Sequence, residues 1–155
     1  MENIKVRSES DSTLVIAIPE LLLNKVWNKR GQINLIDRDV LIQAFYNLAV
    51  ETMFREGMLV TEDKKFLQEV GLIDEEHPEI FIVTNDLLAR MTKLMSLEDF
   101  KNTLAKFSKQ QIKDYCDYAI THSGDFNLSK LEILSKAGHC NLNNMITNYK
   151  ASLEV

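Results

Sequence analysis

Four side chains in the C-terminal third have the chemistry of soft-metal ligands or nucleophiles: Cys116, His122, His139 and Cys140. Two thiols and two imidazoles suit a tetrahedral zinc site. The spacing argues against one. Cys116 and His122 are six apart, so a helix through both points them to different sides. His139 and Cys140 are adjacent and cannot easily reach one ion together. Cys116 then reads as a small buried hydrophobe. A thiol hydrolase built on Cys140 is a third class of function, since Cys140 precedes a helix start, where thiols are activated. Its sequence neighbour His139 is poorly placed to act as its base. The five glycines stand singly, so no phosphate-cradling loop is present. Asp114 with Asp117, and Glu75 with Glu76, read as solvated faces rather than a catalytic pair. No catalytic residue, metal ligand or cofactor is assigned, and a non-enzymatic protein is expected.

Composition sets the frame for these residues. The chain has 155 residues, 45% hydrophobic and 26% charged, as in ordinary globular domains. Five glycines and two prolines favour helices over a turn-rich β fold. A net charge of −5 argues against attraction of the whole protein to nucleic acid or anionic membrane. Residues 101–155 hold 7 Lys and 5 Asp or Glu, a local +2 against −7 for residues 1–100. Two cysteines do not make a disulfide framework. The polar start MENIKVRSESDS lacks a signal-peptide pattern. The most apolar early run, residues 14–23, is broken by Pro19 and Glu20 and is half of the ~20 residues that span a bilayer. The expectation is a cytoplasmic protein with no membrane segment.

Residues 1–12, with serines between acids, predict a flexible arm. TLVIAI at 13–18 is short and β-branched, so it predicts a strand with Leu14, Ile16 and Ile18 inward. Pro19 suits the first turn of a helix reaching Lys29, with Leu22, Leu23, Val26 and Trp27 inward and Gly31 after its end. Residues 32–36 connect it to the segment expected to organise the fold, one central helix over 37–57. Asp37 caps that helix and Gly57 ends it. Gln43, Asn47, Glu51 and Arg55 recur every four residues as a narrow polar stripe. The rest is apolar, which predicts burial on several sides with Phe45 and Leu48 nearly inaccessible.

Residues 58–60 read as extended, and Thr61 as the cap of a short helix burying Phe66, Leu67 and Val70 before Gly71. EIFIVT at 79–84 divides evenly between strand and helix, with a helix over 85–95 following it. Ser96 opens a helix carrying Leu97, Phe100, Leu104 and Phe107. Ser108 with Gln111 forms a capping box for the next, which carries Ile112, Tyr115, Cys116, Ala119 and Ile120. Asn127 caps 128–137, ended by Gly138, and Asn141 caps the last helix. The predicted fold is mainly α: residues 13–155 as a single-domain helical bundle of about six to seven helices with one or two short strands.

Two stretches resemble known binding motifs. The order strand, Pro-Glu, helix, Gly, helix in IAIPELLLNKVWNKRG and RDVLIQAFYNLAVE resembles the ribbon-helix-helix repressors over about a quarter of the chain. That resemblance implies a dimer whose paired strands lay their outward side chains in the major groove. Here the outward set is Thr13, Val15 and Ala17, without a charge or strong base-reading group. The set therefore points to a homodimer or protein contact, extended by the apolar Leu21. The C-terminal pair 128–137 and 142–149, around Gly-His-Cys-Asn, resembles a helix-turn-helix in outline. It predicts an exposed face of Asn143, Asn144, Thr147, Asn148 and Lys150, groups that pair with adenine edges or the nucleic-acid backbone. The expected function is a small intracellular regulatory or adaptor protein that acts by binding another protein. The alternative is a DNA- or RNA-binding regulator using either motif.

Overall fold

Side-chain alternation, not helical spacing, governs the N-terminal segment. Asn3–Ser8 is strand β1, whose Ile4, Val6 and Ser8 are buried on one face. Leu14–Ile18 is β2, with Leu14 and Ile16 buried. Leu23–Trp27 is β3, burying Leu23 and Trp27. Ile33–Asp37 is β4. Helices α1 (Arg38–Ala44) and α2 (Leu48–Arg55), strand β5 (Leu59–Val60) and helix α3 (Lys64–Glu69) follow. The computed structural model describes residues 2–154, and these form two compact units, 2–73 and 74–154.

In the first unit β1 is the middle of an antiparallel sheet in the order β4-β1-β5, and β2 pairs antiparallel with β3. Trp27 is fully buried, and its indole Nε1 donates to the Val6 carbonyl at 3.0 Å, tying the hairpin to β1. Phe45, Phe54 and Phe66 pack ring against ring, with centroids 5.0–6.1 Å apart, as α1, α2 and α3 cover the core. Arg38 joins α1 to α3 through Glu69 at 2.7 Å and Asp63 at 3.4 Å.

Several expectations fail here. The residues expected in a flexible arm include β1, an interior strand. The expected helix over 19–29 is a single 3₁₀ turn, Pro19–Leu21, followed by β3. Leu22 takes a left-handed conformation, φ 52°, which reverses the chain into a hairpin; its side chain is 96% exposed, not inward. Residues 32–36 are largely β4 rather than a connection. The central helix is two helices. Asn47 is extended, and its side chain accepts from the Ala49 amide, so it caps α2 instead of continuing α1. Leu48 is 71% exposed as a result, and Phe45 is half-buried. Asp37 does cap α1, and Gly57 has φ 79°. Asp63, not Thr61, caps α3.

The second unit is helical: α4 (Asn85–Lys93), α5 (Leu97–Leu104), α6 (Lys109–Thr121), α7 (Leu128–Ala137) and α8 (Leu142–Leu153). The side chains of Thr84, Ser96, Ser108, Asn127 and Asn141 cap them, and Ser108 with Gln111 completes the capping box. Tyr115 sits at the centre, with Phe100, Phe107, Tyr118 and Phe126 around its ring. Its hydroxyl meets Thr92 Oγ1 at 2.8 Å, and that oxygen donates to the Leu88 carbonyl. Residues 79–84 are neither strand nor helix. Gln111 Nε2 donates to the Phe81 carbonyl at 2.8 Å, so a side chain takes the place of a ladder, and Val83 is buried. Among the described residues the chain is mainly helical, with eight α-helices and five strands in small sheets.

Candidate functional site

The outward face of the β2–β3 hairpin is apolar. Val15 and Val26 stand opposite each other in the ladder and are 46% and 38% exposed. Ala17 faces Asn24 in the same register, and Thr13 and Ala17 are exposed as expected. Leu21, assigned to the same surface, is half-buried in the 3₁₀ turn. Its neighbour Leu22 is the exposed apolar residue at the tip, with the left-handed backbone aiming it outward. On β4, Ile33 and Leu35 also face solvent, opposite Arg7 and Lys5 of β1. A shallow groove of about 340 Å³ opens beside them, lined by Asn3, Lys5, Arg7, Ile33, Val60 and Glu62. The exposure of Val26, Ile33 and Leu35 was hidden in the sequence by their assignment to a helix and a connection. The alternation in INLI was the available signal.

Strand edges differ around this unit. The three-stranded sheet ends on β5, only two residues long. Toward β4, the Val26 carbonyl of β3 accepts from Asn34 Nδ2 at 2.9 Å and Gln32 Nε2 at 3.0 Å, so amide side chains bridge those strands. Strand β2 pairs with β3 and, among the described residues, has no other strand partner. Its sequence, LVIAI, has no charge and no proline. Natural edge strands usually carry such residues to prevent pairing with another chain.

In the second unit, Asn143, Asn144, Thr147, Asn148 and Lys150 are all exposed on α8, as expected. Thr147 Oγ1 donates to the Asn143 carbonyl within its own helix. Of the four soft-ligand residues the fold brings only two together. Cys116 and Cys140 have their sulfurs 4.0 Å apart. His122 stacks on Tyr118, ring centroids 3.9 Å apart, and its Nδ1 bonds to Thr121 Oγ1 and the Tyr118 carbonyl. His139 is exposed. Among the described residues no three His, Cys, Asp or Glu side chains gather as a metal site, and no helix is long and apolar enough to cross a membrane.

Two polar clusters had no reading from sequence. His77 Nδ1 meets Asp74 Oδ1 at 2.8 Å, and Nε2 meets the Ala105 carbonyl at the end of α5 at 2.7 Å. Asp74 Oδ2 accepts from the Lys109 amide at the start of α6. The imidazole thus lies at a helix C-terminus, where the dipole favours positive charge, and the Asp74 carboxylate at a helix N-terminus, where it favours negative charge. Burial pulls the His77 pKa down, but its bonds to Asp74 and Ala105 outweigh this and raise it. Burial likewise opposes ionisation of Asp74, whose amide and imidazole donors still hold its pKa below the usual carboxylate value. Lys130 is 3% exposed, its Nζ donates to the Met91 and Thr92 carbonyls at 2.6 and 3.2 Å, and burial lowers its pKa. Lys130 closes the end of α4, as cations at helix C-termini do.

Set against known protein families, curated proteins and solved structures, the chain matches none.

Proposed function

We propose that the chain is a small protein-binding protein, regulatory or adaptor in kind, and that its N-terminal unit pairs through β2 with a second copy. The observation that carries this is the five-residue apolar strand LVIAI, paired with β3 and, among the described residues, with no other strand partner, beside the exposed Val15 and Val26. A second β2 in antiparallel register supplies hydrogen bonds to that edge and covers Val15 on both copies by one symmetric interface. No substrate or cofactor enters this reading.

Light scattering across a concentration series tests it. The unmodified chain is expected to give a dimer mass. Val15→Lys places a charge on the edge and is expected to give a monomer with unchanged circular dichroism. A monomer at every concentration removes the proposal. The five exposed polar side chains of α8 support a second reading, nucleic-acid contact. Its test is a shift of duplex or single-stranded probes that weakens steeply with salt. No shift at low salt removes it.

A further inference from the structure

Cys116 lies on α6, is 5% exposed, and its Sγ is 4.0 Å from the Sγ of the half-buried Cys140 in the α7–α8 turn. The turn is shaped to allow this approach. A Cβ on Gly138 would lie 2.7 Å from the Cys116 sulfur and 3.5 Å from the Cys140 sulfur, so any larger residue collides where the two thiols meet. His139 takes φ 51°, a conformation L-residues seldom adopt. The Cys140 amide then bonds back to the Ser135 carbonyl at 3.1 Å, which fixes the cysteine over α6.

We propose that Cys116 and Cys140 are a reversible dithiol–disulfide pair, oxidised by small-molecule disulfides and joining α6 to the α7–α8 turn. The order of events follows from access. Cys140, as thiolate, attacks one sulfur of the small disulfide; a Cys140 mixed disulfide forms and one small thiol leaves. Cys116 then gives its proton to water or buffer, and its sulfur attacks the Cys140 sulfur, expelling the second small thiol. Two protein thiols are oxidised by two electrons, and the small disulfide is reduced to two thiols. Burial, then the neighbouring Cys140, pushes the Cys116 thiol pKa up to about 12, which keeps Cys116 out of the first step; the 4.0 Å approach of its sulfur to that of Cys140 gives it the second, intramolecular one. Closing the bond brings the sulfurs from 4.0 Å to about 2 Å.

The full chain, reduced and then equilibrated with glutathione disulfide, is acid-quenched, alkylated and weighed intact. The expected product has lost both thiols, weighs less by two hydrogens, carries no glutathione and remains monomeric in covalent mass. Cys116→Ala is expected to stop at a glutathione adduct on Cys140, and Cys140→Ala to leave Cys116 unreacted. A wild-type chain that accumulates the Cys140 adduct with Cys116 still alkylated overturns the proposal. So does a chain that keeps both thiols or links two copies. The wild-type masses decide the matter even if a variant fails to fold.

Discussion

The two units differ in how locally their structure is specified. Each α-helix of the C-terminal unit starts at a side chain that caps it within three residues: Thr84, Ser96, Ser108, Asn127, Asn141. The helices of the N-terminal unit are capped locally as well, by Asp37, Asn47 and Asp63, but its main sheet is specified by partners far along the chain. Strand β1 pairs with β4 about thirty residues later, and Trp27 reaches back to Val6. A helix is readable from its own residues, whereas a strand is defined by its neighbour. The same contrast separates surfaces: the helices close their own backbone groups, while β2 leaves an edge.

The largest expected effect tests where the N-terminal core lies. Trp27→Ala should cost about 3–5 kcal/mol in a denaturant titration, as for other buried aromatics. Leu48→Ala, on an exposed site of the supposed central helix, should cost less than about 0.5 kcal/mol. Reversal of these two would restore the single-helix reading. In the C-terminal unit, Lys130→Met should cost roughly 1–3 kcal/mol, because it strips donors from the Met91 and Thr92 carbonyls. A neutral or stabilising result would show that water or backbone replaces the ammonium.

Alkaline pH should weaken the helical unit. The Cys116 thiol stays protonated in the fold up to about 12, whereas in the unfolded chain it ionises near ~8.5. Between those values the folded state holds more protons, so stability is complete below the lower one and falls as pH rises toward the upper. Tyr115, raised chiefly by burial, acts in the same direction above its own unfolded value of about 10. Cys116→Ala should flatten the pH dependence of the denaturation midpoint over this range. The smallest effect belongs to His77. Its raised folded pKa means that its contribution is complete below about 6.5 and is lost as pH rises through the folded value. His77→Phe should abolish that step; a persisting step assigns it to another group.

The misreadings have particular causes. Leu23 and Trp27 are four residues apart, a spacing that shares one face in a helix and also in a strand. The turn between β2 and β3 has no glycine or asparagine, because Leu22 itself takes the left-handed conformation, so the hairpin carried no turn signal. Asn47 fell in register with Gln43 and Glu51 and looked like part of a stripe, although its short amide favours a cap. By contrast, the alternation in TLVIAI placed Thr13, Val15 and Ala17 outward correctly, and the α8 polar face was legible because Asn141 marked its start. The meeting of Cys116 with Cys140 was not legible, since it depends on the path of the α7–α8 turn through Gly138 and His139.

Backbone amide hydrogen exchange over Leu14–Ile18, followed as protein concentration is raised, tests strand pairing most directly. Edge pairing predicts that protection within this segment increases with concentration while the amides of α6 exchange unchanged, and that Val15→Lys abolishes the increase. Exchange over Leu14–Ile18 that is independent of concentration would contradict pairing through β2.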